Sequence, residues 1–141
     1  MSLKEEKWVI IFKIFQLNLK SSLKVQVHAC RAYGNILSLC PQLNPKTLNE
    51  ANSMLRVLKE ELRLGVSYKG QWNAALAITK AFNNPIIINE CQTEDLIESL
   101  KYCQNMTRNL KVSVYLKRKI TMIIINKYKY IFRLKWVVIM L

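Results

Sequence analysis

At 141 residues the chain is long enough for one domain with its own core, and a hydrophobic content of 51% excludes general disorder. Three Gly and three Pro leave too few turn residues for a many-turned β fold. The formal charge of +13 is laid down unevenly: residues 1–98 hold 12 Lys/Arg against 9 Asp/Glu, whereas residues 99–141 hold 10 Lys/Arg and no acid.

Ser2 and Glu5 read as a capping box, and Trp8, Ile11, Phe15 and Leu19 recur at helical spacing, which predicts a helix near 3–19. The apolar run Trp8 to Phe15 is short, is broken by Lys13 and leads to no small-residue cleavage pattern, so no secretory signal is expected. A second helix near 24–39 places Val25, Ala29, Ala32, Ile36 and Leu39 on one stripe and stops at Cys40-Pro41. A third opens on Thr47 and Glu50 as a capping box, carries Leu48, Ala51, Leu55, Leu58 and Leu62, and ends at Gly65. Trp72, Ala75, Ile78 and Phe82 predict a fourth over about 69–83, closed by Asn83-Asn84-Pro85. Ile86-Ile87-Ile88 is expected as an apolar plug in the following loop. Thr93, with Glu94 and Asp95 in the next turn, opens a fifth helix of about 93–109 with a buried stripe of Leu96, Leu100, Cys103, Met106 and Leu110.

These helices repeat. Val25-Gln26-Val27-His28-Ala29-Cys30-Arg31-Ala32-Tyr33-Gly34-Asn35 is answered 45 residues later by Gly70-Gln71-Trp72-Asn73-Ala74-Ala75-Leu76-Ala77-Ile78-Thr79-Lys80, with Ala at the same two places. A period of roughly 40–47 residues with paired helices is the signature of HEAT or armadillo arrays, whose units bury their apolar faces only by stacking. The expected fold is therefore all-α: a HEAT/armadillo-type α-solenoid of two complete helix pairs and a degraded third, over residues 1–113. The third copy starts on schedule at Lys111, but its two small positions become Leu116 and Lys119, which should spoil close approach of a neighbouring helix.

Residues 114–141 form a divergent basic, apolar tail, expected as irregular or helical. Ile, Lys, Asn, Tyr and Phe dominate it, all encoded by A/T-rich codons, and the plainest expectation is a continuation read past a splice junction or replaced by a gene-model error. A functional reading competes. In an extended strand Lys127, Lys129, Arg133 and Lys135 fall on one side, and Tyr128, Tyr130, Phe132, Leu134 and Trp136 on the other. Cations interleaved with rings suit an anionic membrane surface or single-stranded nucleic acid, with Lys127, Lys129, Arg133, Lys135 and Trp136 as the contacts. No uncharged run reaches the roughly 18–20 residues of a transmembrane helix.

Reactive constellations are missing. There is no Gly-rich phosphate loop, HExxH, GxSxG or CxxC, and Cys30, Cys40, Cys91 and Cys103 read as ordinary buried thiols of a reduced, intracellular protein, cytoplasmic or nuclear. His28, the sole histidine, answers to Asn73 in the repeat, which marks a shared polar surface position rather than a general base. No enzyme activity, metal, cofactor or small-molecule substrate is expected. Lys24, His28, Arg31 and Asn35 recur at spacings of four, three and four, and Lys69, Asn73 and Lys80 occupy matching places in the second copy. The second helices of a solenoid usually line its concave side, so these residues predict a weakly basic groove for an acidic protein segment.

Tyr68-Lys69-Gly70-Gln71-Trp72-Asn73-Ala74-Ala75-Leu76-Ala77-Ile78, Phe82-Asn83-Asn84-Pro85 and Cys103-Gln104-Asn105-Met106-Thr107-Arg108-Asn109-Leu110-Lys111-Val112 resemble the C-terminal repeats of the HEAT repeat-containing protein 6 family, and the copy at 25–35 is similar to its preceding repeat. The resemblance covers roughly residues 5–114. It implies a large α-solenoid without known catalytic residues, a protein-interaction scaffold of which this chain is a short or truncated relative. Gly70-Gln71 stands where that family usually has Val-Arg, and the sequence leaves the pattern after about Val114.

Overall fold

The computed structural model describes residues 6, 7, 10, 23–65 and 67–140, with backbone alone for Leu23, Lys24, Leu134, Trp136, Val137 and Val138. Of the helix expected over 3–19, only Glu6, Lys7 and Ile10 are described, all helical; the rest lies outside the described residues. The fold is all-α. Its helices are α1 (Leu23–Leu39), α2 (Pro45–Leu64), α3 (Tyr68–Ala81), α4 (Pro85–Glu90), α5 (Glu94–Met106) and α6 (Leu110–Met140), and no strand occurs among the described residues.

The caps set the frame. The box opening α2 lies one turn earlier than Thr47/Glu50: Asn44 Oδ1 accepts from the Lys46 and Thr47 amides at 3.0 and 2.9 Å, and Thr47 Oγ1 accepts from the Asn44 amide at 2.9 Å. Pro45 is the first helical residue, where its fixed φ suits the helix and its missing N–H costs nothing. At the other end the Gly65 amide donates to Glu61 O at 2.9 Å. A Cβ on Gly65 would sit 2.2 Å from that same oxygen, so glycine is required by close approach.

The apolar plug is helical rather than a loop. Asn84 Oδ1 accepts from the Ile86 amide at 3.1 Å and Pro85 again starts the helix, so one short turn, α4, forms and carries Ile87 into the core. Asn84 does more than cap: its Nδ2 donates to Leu37 O and Cys40 O, both at 2.9 Å, and latches the α3–α4 turn to the end of α1. Thr93 makes no side-chain cap on α5, where Glu94 and Asp95 face the positive end of the helix instead. The helix stops at Met106, short of 109, because Asn109 caps the next one: its Oδ1 accepts from the Val112 amide at 3.2 Å.

Helix α1 packs chiefly on α3, α2 on α3 and α5, and α6 on α3 and α5. The α1–α3 contact is close: a Cβ on Gly34 would meet Ala77 Cα at 2.6 Å, and Ala29, Ala74 and Ala77 are all buried. The third copy, expected to be spoiled at Leu116 and Lys119, keeps its helix. Leu116 is fully buried, Trp72 and Tyr115 stack with ring centroids 4.0 Å apart, and Lys119 Nζ sits 5.3 Å over the Tyr115 ring. Large side chains here take the place of the Gly and Ala that join α1 to α3. Helix α6 crosses the compositional boundary at 113/114 unbroken, and Val112, Leu116, Ile120 and Ile123 all belong to the common core.

Candidate binding surfaces

The α1–α3 junction brings part of the predicted groove together. Asn35 and Lys80 are equivalent positions of the two copies, and Lys80 Nζ donates to Asn35 Oδ1 at 2.9 Å. Asn73 Nδ2 donates to Lys69 O at 2.7 Å, so this amide is half occupied by its own helix. His28 and Arg31 are exposed one turn apart on α1 and hold no hydrogen bond or ion pair to any described residue. Lys69 is likewise exposed, Leu76 lies half-buried between the polar positions of α3, and the Lys24 side chain is outside the described residues.

Five bonds between distant segments share a length scale, whereas Arg63–Ser99 spans 36 residues and Gln71 Nε2 to Leu62 O spans 9. Lys80 to Asn35, Asn84 to Leu37 and Cys40, Gln92 to Asn52, and Asn126 to Asn83 span 45, 47, 44, 40 and 43 residues. Each joins a residue to a place about one sequence period away. Arg63 Nε also donates to Ser99 Oγ at 3.0 Å while its guanidinium lies 5.2 Å from the centroid of Tyr102, tying α2 to α5. Sequence reasoning missed Asn84, because a residue before proline reads as a simple helix stop.

The extended-strand reading of 127–136 is overturned. The segment is the second half of α6, where successive side chains turn by about 100° rather than alternate. Lys129 and Arg133 therefore share a face; with Asn126 and Tyr130 they border a cleft against Phe82, Asn83, Pro85 and Ile88. Lys127 is half-buried toward the core side. Lys135 borders a different, apolar hollow with Tyr128, Ile131 and Phe132, and the side chain of Trp136 is outside the described residues. Hydrophobic period 3.6, followed past residue 120, was the signal that finds this helix.

A further cleft between α2 and α5 holds Asn52, Arg56, Lys59, Glu94 and Asp95. The Asn52 carboxamide accepts from the Gln92 amide and Lys59 lies 3.8 Å from Asp95, so both signs of charge meet there. The four cysteines are free and buried. Burial pushes the Cys30 thiol up to about 12, helped by the Glu61 carboxylate, and Cys40 to about 12; Cys91 and Cys103 rise to about 11. Such thiols stay protonated near neutrality and are poor nucleophiles. No metal-binding group of three His, Cys, Asp or Glu side chains occurs among the described residues, and no described helix is long and apolar enough to cross a membrane. No family model, curated protein or solved structure matches the chain.

Proposed function

We propose that the chain is a non-catalytic scaffold of stacked HEAT-type helix pairs, and that its α1–α3 surface takes an acidic segment of a protein partner. The observation that carries this reading is the set of inter-element hydrogen bonds spanning 40–47 residues. Stacked units of about 45 residues would bring places one period apart into contact, and Lys80–Asn35, at 45 residues, supports the reading by joining equivalent positions of the two copies. The Lys80–Asn35 bond ties equivalent positions of α1 and α3 side by side, with Arg31 and Lys69 exposed on the same two helices. The buried free thiols suit a reducing compartment, cytoplasmic or nuclear.

The test is fluorescence anisotropy of the full chain with a labelled Glu/Leu-rich peptide. Reversing charge at Arg31→Glu or Lys69→Glu should weaken binding at low salt by about tenfold each, the size of a desolvated charge contact. Lys129→Glu, on the tail helix, should leave it unchanged. Equal affinity for wild type and both reversals overturns the assignment.

A further inference from the structure

Helix α6 has two apolar faces, and the core uses one. Val112, Leu116, Ile120 and Ile123 point inward and are buried. On the opposite side Val114, Ile125, Tyr128, Phe132 and Ile139 fall within roughly 60° of arc at helical periodicity. Their exposures are 46, 57, 68, 61 and 75%. From Ile125 to Ile139 the stripe runs about 21 Å at ~1.5 Å per residue. Scattered surface apolar residues need no explanation, but an aligned stripe does.

The margins of the stripe are cationic on both sides. Lys117 and Lys135 lie along one edge, Arg118 and Lys129 along the other, and all four are exposed. No acid occurs anywhere in residues 99–141, so nothing within the helix offsets them. We infer that this outer face of α6 docks on an anionic lipid bilayer, the helix lying in the interfacial plane with its apolar stripe among the acyl chains and its flanking Lys and Arg at the headgroups. An apolar face with Lys/Arg alongside is the pattern of interfacial helices, and the cations that interrupt α6 keep it on the surface rather than across.

Charge decides between occupants. A second copy seated on this face would bring two uncompensated cationic margins together, a repulsive arrangement. Nucleic acid would satisfy the cations but offers nothing to Val114, Ile125 and Ile139, since stacking on bases needs rings. Anionic lipid satisfies both the cations and the aliphatic side chains.

The test is vesicle co-sedimentation of the full chain with phosphatidylcholine alone and with about 30% phosphatidylserine, an anionic surface that attracts basic segments. The expected result is binding to the anionic vesicles only. Ile125→Asp/Ile139→Asp should lower the partition coefficient by at least about tenfold through lost apolar burial. Lys129→Gln and Lys135→Gln should each lower it about fivefold, the share of one cation near the surface. The replaced side chains are exposed, and an unchanged melting temperature of each variant confirms that folding is not the cause. Binding to anionic vesicles that ignores the Asp pair overturns the inference. So does failure of the wild type to bind, or tighter binding to a single-stranded oligonucleotide that the Asp pair leaves unchanged.

Discussion

Gly34→Ala tests the close approach of α1 and α3. A Cβ at this position would lie 2.6 Å from Ala77 Cα, 2.9 Å from Ala77 Cβ and 3.3 Å from Ala77 O. Carbon atoms rest at about 3.5–4.0 Å, so α1 and α3 must part by roughly 1 Å, and the offended atoms are backbone or Cβ that no rotamer change can move. Overpacking of this kind costs about 1–3 kcal/mol. Against it, Ala is better than Gly in a helix interior by about 0.5–1 kcal/mol. The clash wins, with a net loss of about 1–2 kcal/mol. For a chain of this size that lowers Tm by about 3–8 °C in differential scanning calorimetry. Gly70→Ala is the control: there the new Cβ meets Glu61 Oε1, the free end of a flexible side chain that can swing toward water. Burial holds the Glu61 pKa above the usual carboxylate value, so leaving the interior relieves that penalty. Gly70→Ala should therefore be neutral or stabilising. A Gly34→Ala protein that melts higher than wild type would refute the close approach of α1 and α3.

Asn84→Ala removes two buried hydrogen bonds to the Leu37 and Cys40 carbonyls together with the cap on Ile86, and should cost about 2–4 kcal/mol in chemical denaturation. Ending the chain at residue 113 removes Leu116, Ile120 and Ile123 from the core, about 1.5–3 kcal/mol each, a sum comparable with the whole stability of a domain. That fragment should lose its cooperative melt, whereas one ending at 125 should keep it. The thiols predict alkaline sensitivity. Their folded pKa values lie above the ordinary 9.0, so the stability they protect is fully present below pH 9 and falls as pH rises toward 11 and 12, where only the unfolded chain gives up its protons freely. Urea midpoints should decline steeply between pH 9 and 11, and Cys→Ser at Cys91 should lessen that decline.

Helix type and order were legible in the sequence because apolar residues recur at three and four along α1, α2, α3 and α5, a pattern no strand tolerates. Starts and stops were harder. Thr47 looked like a cap with Glu50 three residues on, yet Asn44 outcompetes it because Pro45 behind it is already shaped for the first turn. Ile86-Ile87-Ile88 is too short to show a period, and its helicity comes from Asn84 and Pro85 rather than from the isoleucines. Lys80 and Asn35 were placed on one surface by alignment of the copies alone, since equivalent residues of a repeated helix face the same way. Asn84 escaped notice because its partners are carbonyls 44 and 47 residues away, and local patterning carries no information about them.

The change of composition near residue 113 invited a structural boundary, and the packing puts the transition elsewhere. Leu116 and Lys119 are large where the earlier copies have Ala, which rules out a Gly–Ala style of contact but not burial. Leu116 goes into the core whole, and Tyr115 reaches Trp72 of α3 as a ring stack. Among the described side chains Ile123 is the last fully buried one of α6 and Ile124 is half-buried against the core, while the helix continues to Met140. Past Ile124 the side chains of Ile125, Tyr128 and Ile139 stay in helical register on the outer side, fringed by Lys129 and Lys135. An apolar stripe held in register on the outer side of a helix points its amphipathicity away from the fold, and ten cations with no acid over residues 99–141 are what make an anionic surface its proposed destination.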